Sequence, residues 1–278
     1  MTHILLPGPA STDRRLVFYL AMEEFVAEHL DELIPADEEG AFFLWQSNPT
    51  VIIGKNQDLE SEVNLSWCKE RGVDICRRKS GGGCVYSDRG NQMISCVLRQ
   101  TNAQEAFAYY LNRLVENLSA LGLPAVSSTH NDVMIGDRKV SGNACFARKN
   151  ATIVHGTLLW KSNMDDLSAA ITPSEAKLAK HAVQSVRQRV TNLWDCGIHD
   201  LPALQEHLIR EFARPAGHAV TLTDADVKVI EQSRQPTCSD PSFALREAPK
   251  TPKMTPKLHF FAKILAHVKK KQYLCTRF

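Results

Sequence analysis

The chain has 278 residues, 44% of them hydrophobic and 23% charged, with a formal net charge of +2. That is ordinary for a globular protein able to bury a sizeable core, and no apolar run reaches the length of a helical bilayer span, so no membrane role is expected. The eight cysteines are scattered, without a Cys-x-x-Cys pair or zinc spacing, which argues against a zinc module or disulfide framework and fits reduced thiols in a cytosol.

Met1 to Ala10 lacks a basic region followed by an apolar core, so no secretion signal is expected and the expected location is cytoplasmic. Ser11 and Thr12 offer an N-cap for a helix whose stripe runs through Leu16, Tyr19, Leu20, Glu23, Val26, Ala27 and Leu30 to about Leu33. After an acidic loop, Ala41 to Trp45 and Val51 to Ile53 read as a hairpin around Ser47-Asn48-Pro49. Asn64 is expected to cap a short helix ending at Arg71, closed by Gly72.

The stretch from Arg77 to Asn91 follows. Two arginines enter a run of three glycines, Gly81 to Gly83, flanked by short apolar strands at Val73 to Cys76 and Met93 to Leu98. Three consecutive glycines carry a large backbone entropy cost, which a close approach of main chain to a ligand would offset. Their bared N–H groups can converge on an anion, and adjacent arginines can clamp phosphate or carboxylate. The alternative is a hairpin turn using glycine only for positive φ. The stretch fits neither Gly-x-x-x-x-Gly-Lys-Ser/Thr nor Gly-x-Gly-x-x-Gly.

Ala103 to Leu121 reads as an amphipathic helix stopped by Gly122 and Pro124. Three strands are expected next, at Asp132 to Ile135, Arg138 to Phe146 and Thr152 to Trp160, with Gly136-Asp137 as a tight hairpin turn. Strand alternation would put Lys139, Ser141 and Asn143 on one face, either a ligand-facing side or a solvated edge. His155 is a lone strand histidine, a type more often hydrogen-bonded in a core than catalytic. Helical patterns dominate from Asp165 to about Ser233. The order predicts an α+β sandwich, a mixed or antiparallel sheet flanked by helices. From Pro249 onward there are seven lysines, one arginine and no acid, and Leu258, Phe261, Leu265 and Val268 are spaced for one basic amphipathic helix.

Together these stretches resemble lipoate–protein ligase. The chain matches that family's pattern at Arg77, Arg78, Ser80, Gly81 to Gly83, Val85, Tyr86, Asp88, Gly90 and Asn91. It matches again at Asn131, Asp132, Lys139 to Ala144 and His155 to Leu159, and at 185–193, so that the likeness covers about residues 10 to 215. The resemblance implies the catalytic-domain fold of the biotin/lipoate ligases and a two-step reaction: lipoate and MgATP give lipoyl-AMP, and the acyl group then passes to a lysine of a lipoyl domain. It implies ATP and Mg²⁺ as cofactors. It implies as partners the lipoyl domains of 2-oxoacid dehydrogenase complexes and the glycine cleavage H protein, and no nucleic acid.

Carried over by position, Lys139 is the catalytic residue, able to bridge carboxylate and phosphate and stabilise charge building on phosphorus. Arg78, Gly83, Cys84, Val85, Tyr86 and Lys139 would hold ATP and lipoyl-AMP; Ser80, Asn131, Lys139 and His155 would hold lipoate; Asp132 would ligate magnesium. Trp45, Val51 and Val85 are expected to line the apolar slot for the acyl chain. Ser87 and Val154 stand where the family has histidine. Residues 1–240 would form the catalytic domain, and 241–278 a basic tail in place of the family's small accessory domain.

Two other activities compete. An octanoyl or lipoyl transferase of the same fold would use a cysteine nucleophile, and Ser127 to Asp132 contains none; Cys84 and Cys145 read as packing residues. A non-catalytic lipoate- or nucleotide-binding protein is opposed by the retention of both Lys139 and the glycine run.

Overall fold

The computed structural model describes residues 1–8, 14–128, 131–171, 189–215 and 217–233, all within one compact unit, Met1–Leu245. The expected tail from 241 onward, the Ser11 and Thr12 cap and residues 185–188 of the 185–193 segment lie outside the described residues.

The elements in order are β1 (Thr2–Leu5), α1 (Leu16–Glu28), α2 (Leu30–Leu33), β2 (Gly40–Trp45), β3 (Thr50–Ile53), α3 (Leu59–Glu62), α4 (Leu65–Arg71), β4 (Asp74–Arg77), β5 (Val85–Ser87) and β6 (Asn91–Leu98). There follow α5 (Ala103–Ala120), β7 (Ala125–Ser127), β8 (Asp132–Ile135), β9 (Arg138–Ala147), β10 (Thr152–Leu159), α6 (Met164–Ala170), a 3₁₀ turn (Leu193–Cys196), α7 (Leu201–Ala213), β11 (Ala219–Thr221) and α8 (Asp224–Gln232). Local chemistry sets many of the ends. Asn64, Asn102, Asn163 and Asp200 cap their helices with side-chain oxygens, and Gly72 closes α4 at φ +65°. Gly136, φ +62°, takes the first position of the two-residue β8–β9 turn. Among the described residues no helix is long and apolar enough to cross a membrane.

Eight strands form one mixed sheet in the order β11-β1-β2-β6-β10-β9-β8-β7, with β1 parallel to both neighbours and the other pairs antiparallel. A second sheet has the order β4-β3-β5. The α+β class stands as expected. The β2–β3 hairpin does not. β2 is already paired on both edges, by β1 and β6, and has no open edge for β3, which instead pairs with β4 and β5. The glycine run likewise joins two strands that are not neighbours, passing across the end of β3. The predicted first helix is interrupted at His29 (φ −109°, ψ 18°), and its N-cap position falls on Arg15.

Alternation partitions the core into layers. Phe42, Ile94, Cys96, Val154 and Leu158 pack toward α5 and α7. On the opposite face of the large sheet, Phe43, Trp45, Met93, Val97 and Ile153 pack against α1, together with Ile52, Cys76 and Val85 of the small sheet. The other face of the small sheet, carrying Val51, Ile53 and Tyr86, packs on Cys68 and Leu167 of α4 and α6. Burying about 1.5–3 kcal/mol per large apolar side chain, these layers fix the two sheets on either side of one opening.

Candidate active site

Between the α1-facing side of the large sheet and the small sheet lies a cavity of about 190 Å³. Leu20, Trp45, Ile52, Val85 and Met93 make its apolar part. Arg78, Gly82, Gly83, Asn131, Asp132, Lys139, His155 and Thr157 bring polar groups to it. Thus Arg78, Gly83, Cys84, Val85, Asn131, Asp132, Lys139 and His155, expected at one site from the sequence, do converge.

The glycine loop is held from behind. Arg78, buried, donates from Nε and Nη2 to the Gly81 carbonyl, from Nη2 to Gly83 (2.8 Å) and from Nη1 to Ile52. Four of its five N–H groups are thereby used on main-chain oxygens, so its first job is to shape the loop. Burial lowers its pKa from the usual arginine value, against the opposing pull of the Cys84 and Cys76 thiols. Arg77 is similarly engaged, donating to the carbonyls of Gly54 and Gln57. The arginines were expected to clamp an anion directly; the geometry makes them the frame of the loop. Gly82 adopts φ +93°, and the Gly82 carbonyl oxygen lies 2.2 Å from where a Cβ on Gly54 would stand. Gly81, Gly82 and Gly83 are exposed, and among the described residues their N–H groups have no protein acceptor. They remain available to an anion.

Lys139 reaches the cavity by an irregularity. The β8–β9 register shifts between Val133 and Met134, so Val140 is an extra residue on β9. Val140 packs toward α5, and Ser141 Oγ donates to Asn143 Oδ1 near Tyr110 on that same side. Lys139 instead lies over Gly142, its Nζ 2.6 Å from the position a Cβ there would take. The expected common face of Lys139, Ser141 and Asn143 is therefore wrong: the bulge breaks the parity. Lys139 Nζ pairs with Asp132 Oδ1 at 2.8 Å, and the Lys139 carbonyl accepts from Thr191 N. Asn131 adopts φ +68° at the entry to β8, and its carbonyl accepts from Asn143 Nδ2.

His155 is both buried and fully bonded. Its Nε2 meets Ser80 Oγ at 2.7 Å, and its Nδ1 meets Glu23 Oε2 at 2.9 Å. Glu23 also accepts from Ser95 Oγ, which itself accepts from Trp45 Nε1. Sequence reasoning placed Glu23 in the apolar stripe of α1 without giving it a role. The signal was there: a carboxylate in a stripe that packs on a core needs a partner. Ser80 itself is not exposed to the cavity; it touches the site through His155.

Two further expected contacts fall elsewhere. Tyr86 points to the α4 and α6 side of the small sheet, buried, where loss of water pushes its phenol pKa up. Val51 points the same way, and the slot residue is its neighbour Ile52. Val154, where the family has histidine, faces α5, across the sheet from the cavity. Ser87 is buried against Ser47. Burial raises the Cys145 thiol pKa, the opposite of an activated nucleophile. Among the described residues no group of three or more His, Cys, Asp or Glu could hold a metal; Asp132 is the carboxylate that faces the cavity beside Lys139.

The chain is similar to a set of known proteins. Residues 16–213 match the model of the lipoyl protein ligase A/B catalytic domain. Lipoate–protein ligase 1 of Staphylococcus aureus is 35% identical over 218 residues, covering 77% of this chain and 65% of that protein. The structure of a bi-partite lipoate protein ligase from Thermoplasma acidophilum superimposes with a TM-score of 0.68 at 27% identity, over 83% of this chain and 90% of the other. That of lipoate-protein ligase A bound with ATP gives 0.66 at 27%, over 83% and 93%. The chain spans about 65% of the length of the Staphylococcus aureus and Bacillus subtilis ligases.

Proposed function

The chain belongs to the lipoyl protein ligase A/B catalytic-domain family, and from that premise we propose that it is an ATP-dependent lipoate–protein ligase. One observation carries the reading: Lys139 Nζ stands beside Asp132 in the cavity that Gly82 and Gly83 of the glycine loop and the apolar slot also line. In the first step a carboxylate oxygen of lipoate bonds to the α-phosphorus of ATP, and pyrophosphate leaves with the electrons of the broken P–O bond. The two anions repel, so fixed positive charge is needed where they meet. Lys139 supplies it from the sheet side and the N–H groups of Gly81 to Gly83 from the other. In the second step the ε-amine of an acceptor lysine bonds to the acyl carbon, AMP leaves, and the amine proton is released. Leu20, Trp45, Ile52, Val85 and Met93 would hold the acyl chain and keep water from the mixed anhydride.

Asp132 is the residue that would hold magnesium arriving with ATP, because Mg²⁺ is commonly bound by one or two carboxylates plus phosphate oxygens. The ion would neutralise phosphate charge. The acceptors we assign are the lipoyl domains of 2-oxoacid dehydrogenase complexes and the glycine cleavage H protein, in the cytoplasm. Support comes from the relatives, one of which was analysed with its E2 lipoyl domain and another bound with ATP. We assign residues 1–240 as the catalytic domain and 241–278 as a separate basic tail. The transferase reading is disfavoured because Ser127 to Asp132 contains no cysteine and Cys145 packs toward α5, outside the cavity lining.

The test is mass spectrometry of an apo lipoyl domain incubated with the protein, lipoate and MgATP, with pyrophosphate measured in parallel. The expected result is a lipoyl mass gain that requires ATP, with one pyrophosphate per acceptor modified. Gain from an octanoyl carrier protein without ATP would replace the ligase by a transferase.

A further inference from the structure

Glu23 is 1% exposed, yet no arginine or lysine bonds to it among the described residues. A buried carboxylate without a permanent cation must be held by hydrogen-bond donors. Here the donors come from two strands. Ser95 Oγ on β6 donates at 2.6 Å, and the His155 ring on β10 meets both carboxylate oxygens through Nδ1, at 2.9 and 3.0 Å. Each donor carries the bond onward. Ser95 accepts from Trp45 Nε1 at 2.9 Å, and Trp45 is part of the apolar slot. His155 Nε2 meets Ser80 Oγ at 2.7 Å, and Ser80 begins the glycine loop. One carboxylate on α1 therefore ties the acyl slot to the anion-binding loop.

The proton positions follow from the acceptor. A carboxylate only accepts, so Nδ1 must carry a hydrogen; in the neutral ring Nε2 is then left as an acceptor, and Ser80 O–H donates to it. The Ser80–His155–Glu23 geometry is that by which hydrolases hold an imidazole. Ser80, however, is itself 1% exposed, outside the cavity lining, and so is not placed to attack a substrate.

We propose that Glu23 is a positioning residue: it locks His155 in the Nδ1–H tautomer and, through Ser80, holds the glycine loop at the distance from the slot that the acyl carboxylate requires. The inference rests on the ligase reading for its kinetic consequence but not for its structural one. Glutamine at position 23 keeps the shape but must place an amide donor against either Ser95 Oγ or His155 Nδ1. Toward His155, it moves the ring proton to Nε2 and reverses the Ser80 bond. Toward Ser95, it would leave the Ser95 hydroxyl hydrogen without its acceptor, because Ser95 Oγ already accepts from Trp45 Nε1, so the orientation toward His155 is the one expected.

The test compares the full-length wild type with Glu23→Gln, Ser80→Ala and the double variant. Ring ¹⁵N shifts of His155 should report an Nδ1-protonated wild type that loses this state in Glu23→Gln. In steady-state pyrophosphate release, Glu23→Gln should raise KM for both lipoate and ATP, that for lipoate at least tenfold, because the glycine loop it holds faces both reactants. The double variant should be no worse than the poorer single, because both act through one path. An Nε2-protonated wild type, ¹⁵N shifts that Glu23→Gln leaves unchanged, lipoate and ATP constants both within twofold of wild type, or additive losses would each overturn the proposal. If the wild type releases no pyrophosphate the ligase reading fails, and the ¹⁵N shifts still decide the role of Glu23.

Discussion

Lys139 and Arg78 are both cations at the site, and the structure gives them opposite kinds of importance. Lys139 is about one-third exposed and its partner Asp132 one-quarter, so their ion pair contributes under about 1 kcal/mol to folding. Lys139→Leu should therefore leave the melting temperature nearly unchanged while adenylate formation falls by about 10²–10³-fold, read by pyrophosphate release. Turnover within tenfold of wild type would remove Lys139 from the chemistry. Arg78 is 7% exposed, and its fork spans three main-chain carbonyls that a lysine cannot reach together. Arg78→Lys should cost about 2–3 kcal/mol in urea unfolding, because the buried Ile52 carbonyl and the part-buried carbonyls of Gly81 and Gly83 lose charge-assisted partners. A variant as stable as wild type but inactive would make Arg78 a ligand group and not the frame of the loop. The sequence could identify these residues because their types are rare at such spacing. It could not separate their roles, since whether a guanidinium meets a carbonyl or a phosphate depends on main chain brought in from β3.

At the scale of elements, what was legible was whatever one segment decides alone. The hairpin at Gly136, the cap at Asn64 and the lengths of β8, β9 and β10 come from local chemistry and fall within one residue of where they were expected. What failed was parity and partnership. Val51 and Ile52 differ by one position, and which faces the slot is set by the pairing of β3 with β4 and β5. The bulge at Val140 has no signature in the residue types around it, yet it moves Lys139 to the cavity side. Gly142 is the position that bulge opens. Alanine there would put a methyl 2.6 Å from Lys139 Nζ and 2.7 Å from its Cε, while Thr157 Oγ1, the next atom, is 3.8 Å away. The lysine head is the part that can yield, so Gly142→Ala should keep its stability and lose at least about tenfold in adenylation through displacement of Nζ. Equal losses in stability and rate would mean that the strand moves instead of the lysine.

At the scale of the whole molecule, both proposed half-reactions would draw on one opening between two sheets. The cavity-lining residues run from Leu20 to Thr157, so the matched catalytic region contains the whole lining. The chain spans 65% of the length of the Staphylococcus aureus ligase. The two steps make different demands on groups outside that lining. Transfer needs the slot, the loop and access for an acceptor lysine. Activation must also bring two like-charged reactants together and release pyrophosphate, which asks for closure over the site. Supplied with synthetic lipoyl-AMP, the protein should modify an apo lipoyl domain without ATP, and faster than it does from lipoate and ATP. The ratio of the two rates measures how far activation depends on groups outside the lining. Equal rates would mean that 16–213 carries what both steps require. Modification from ATP and lipoate but none from lipoyl-AMP would show that the cavity does not admit the free intermediate, and that the mixed anhydride must be made and consumed without leaving it.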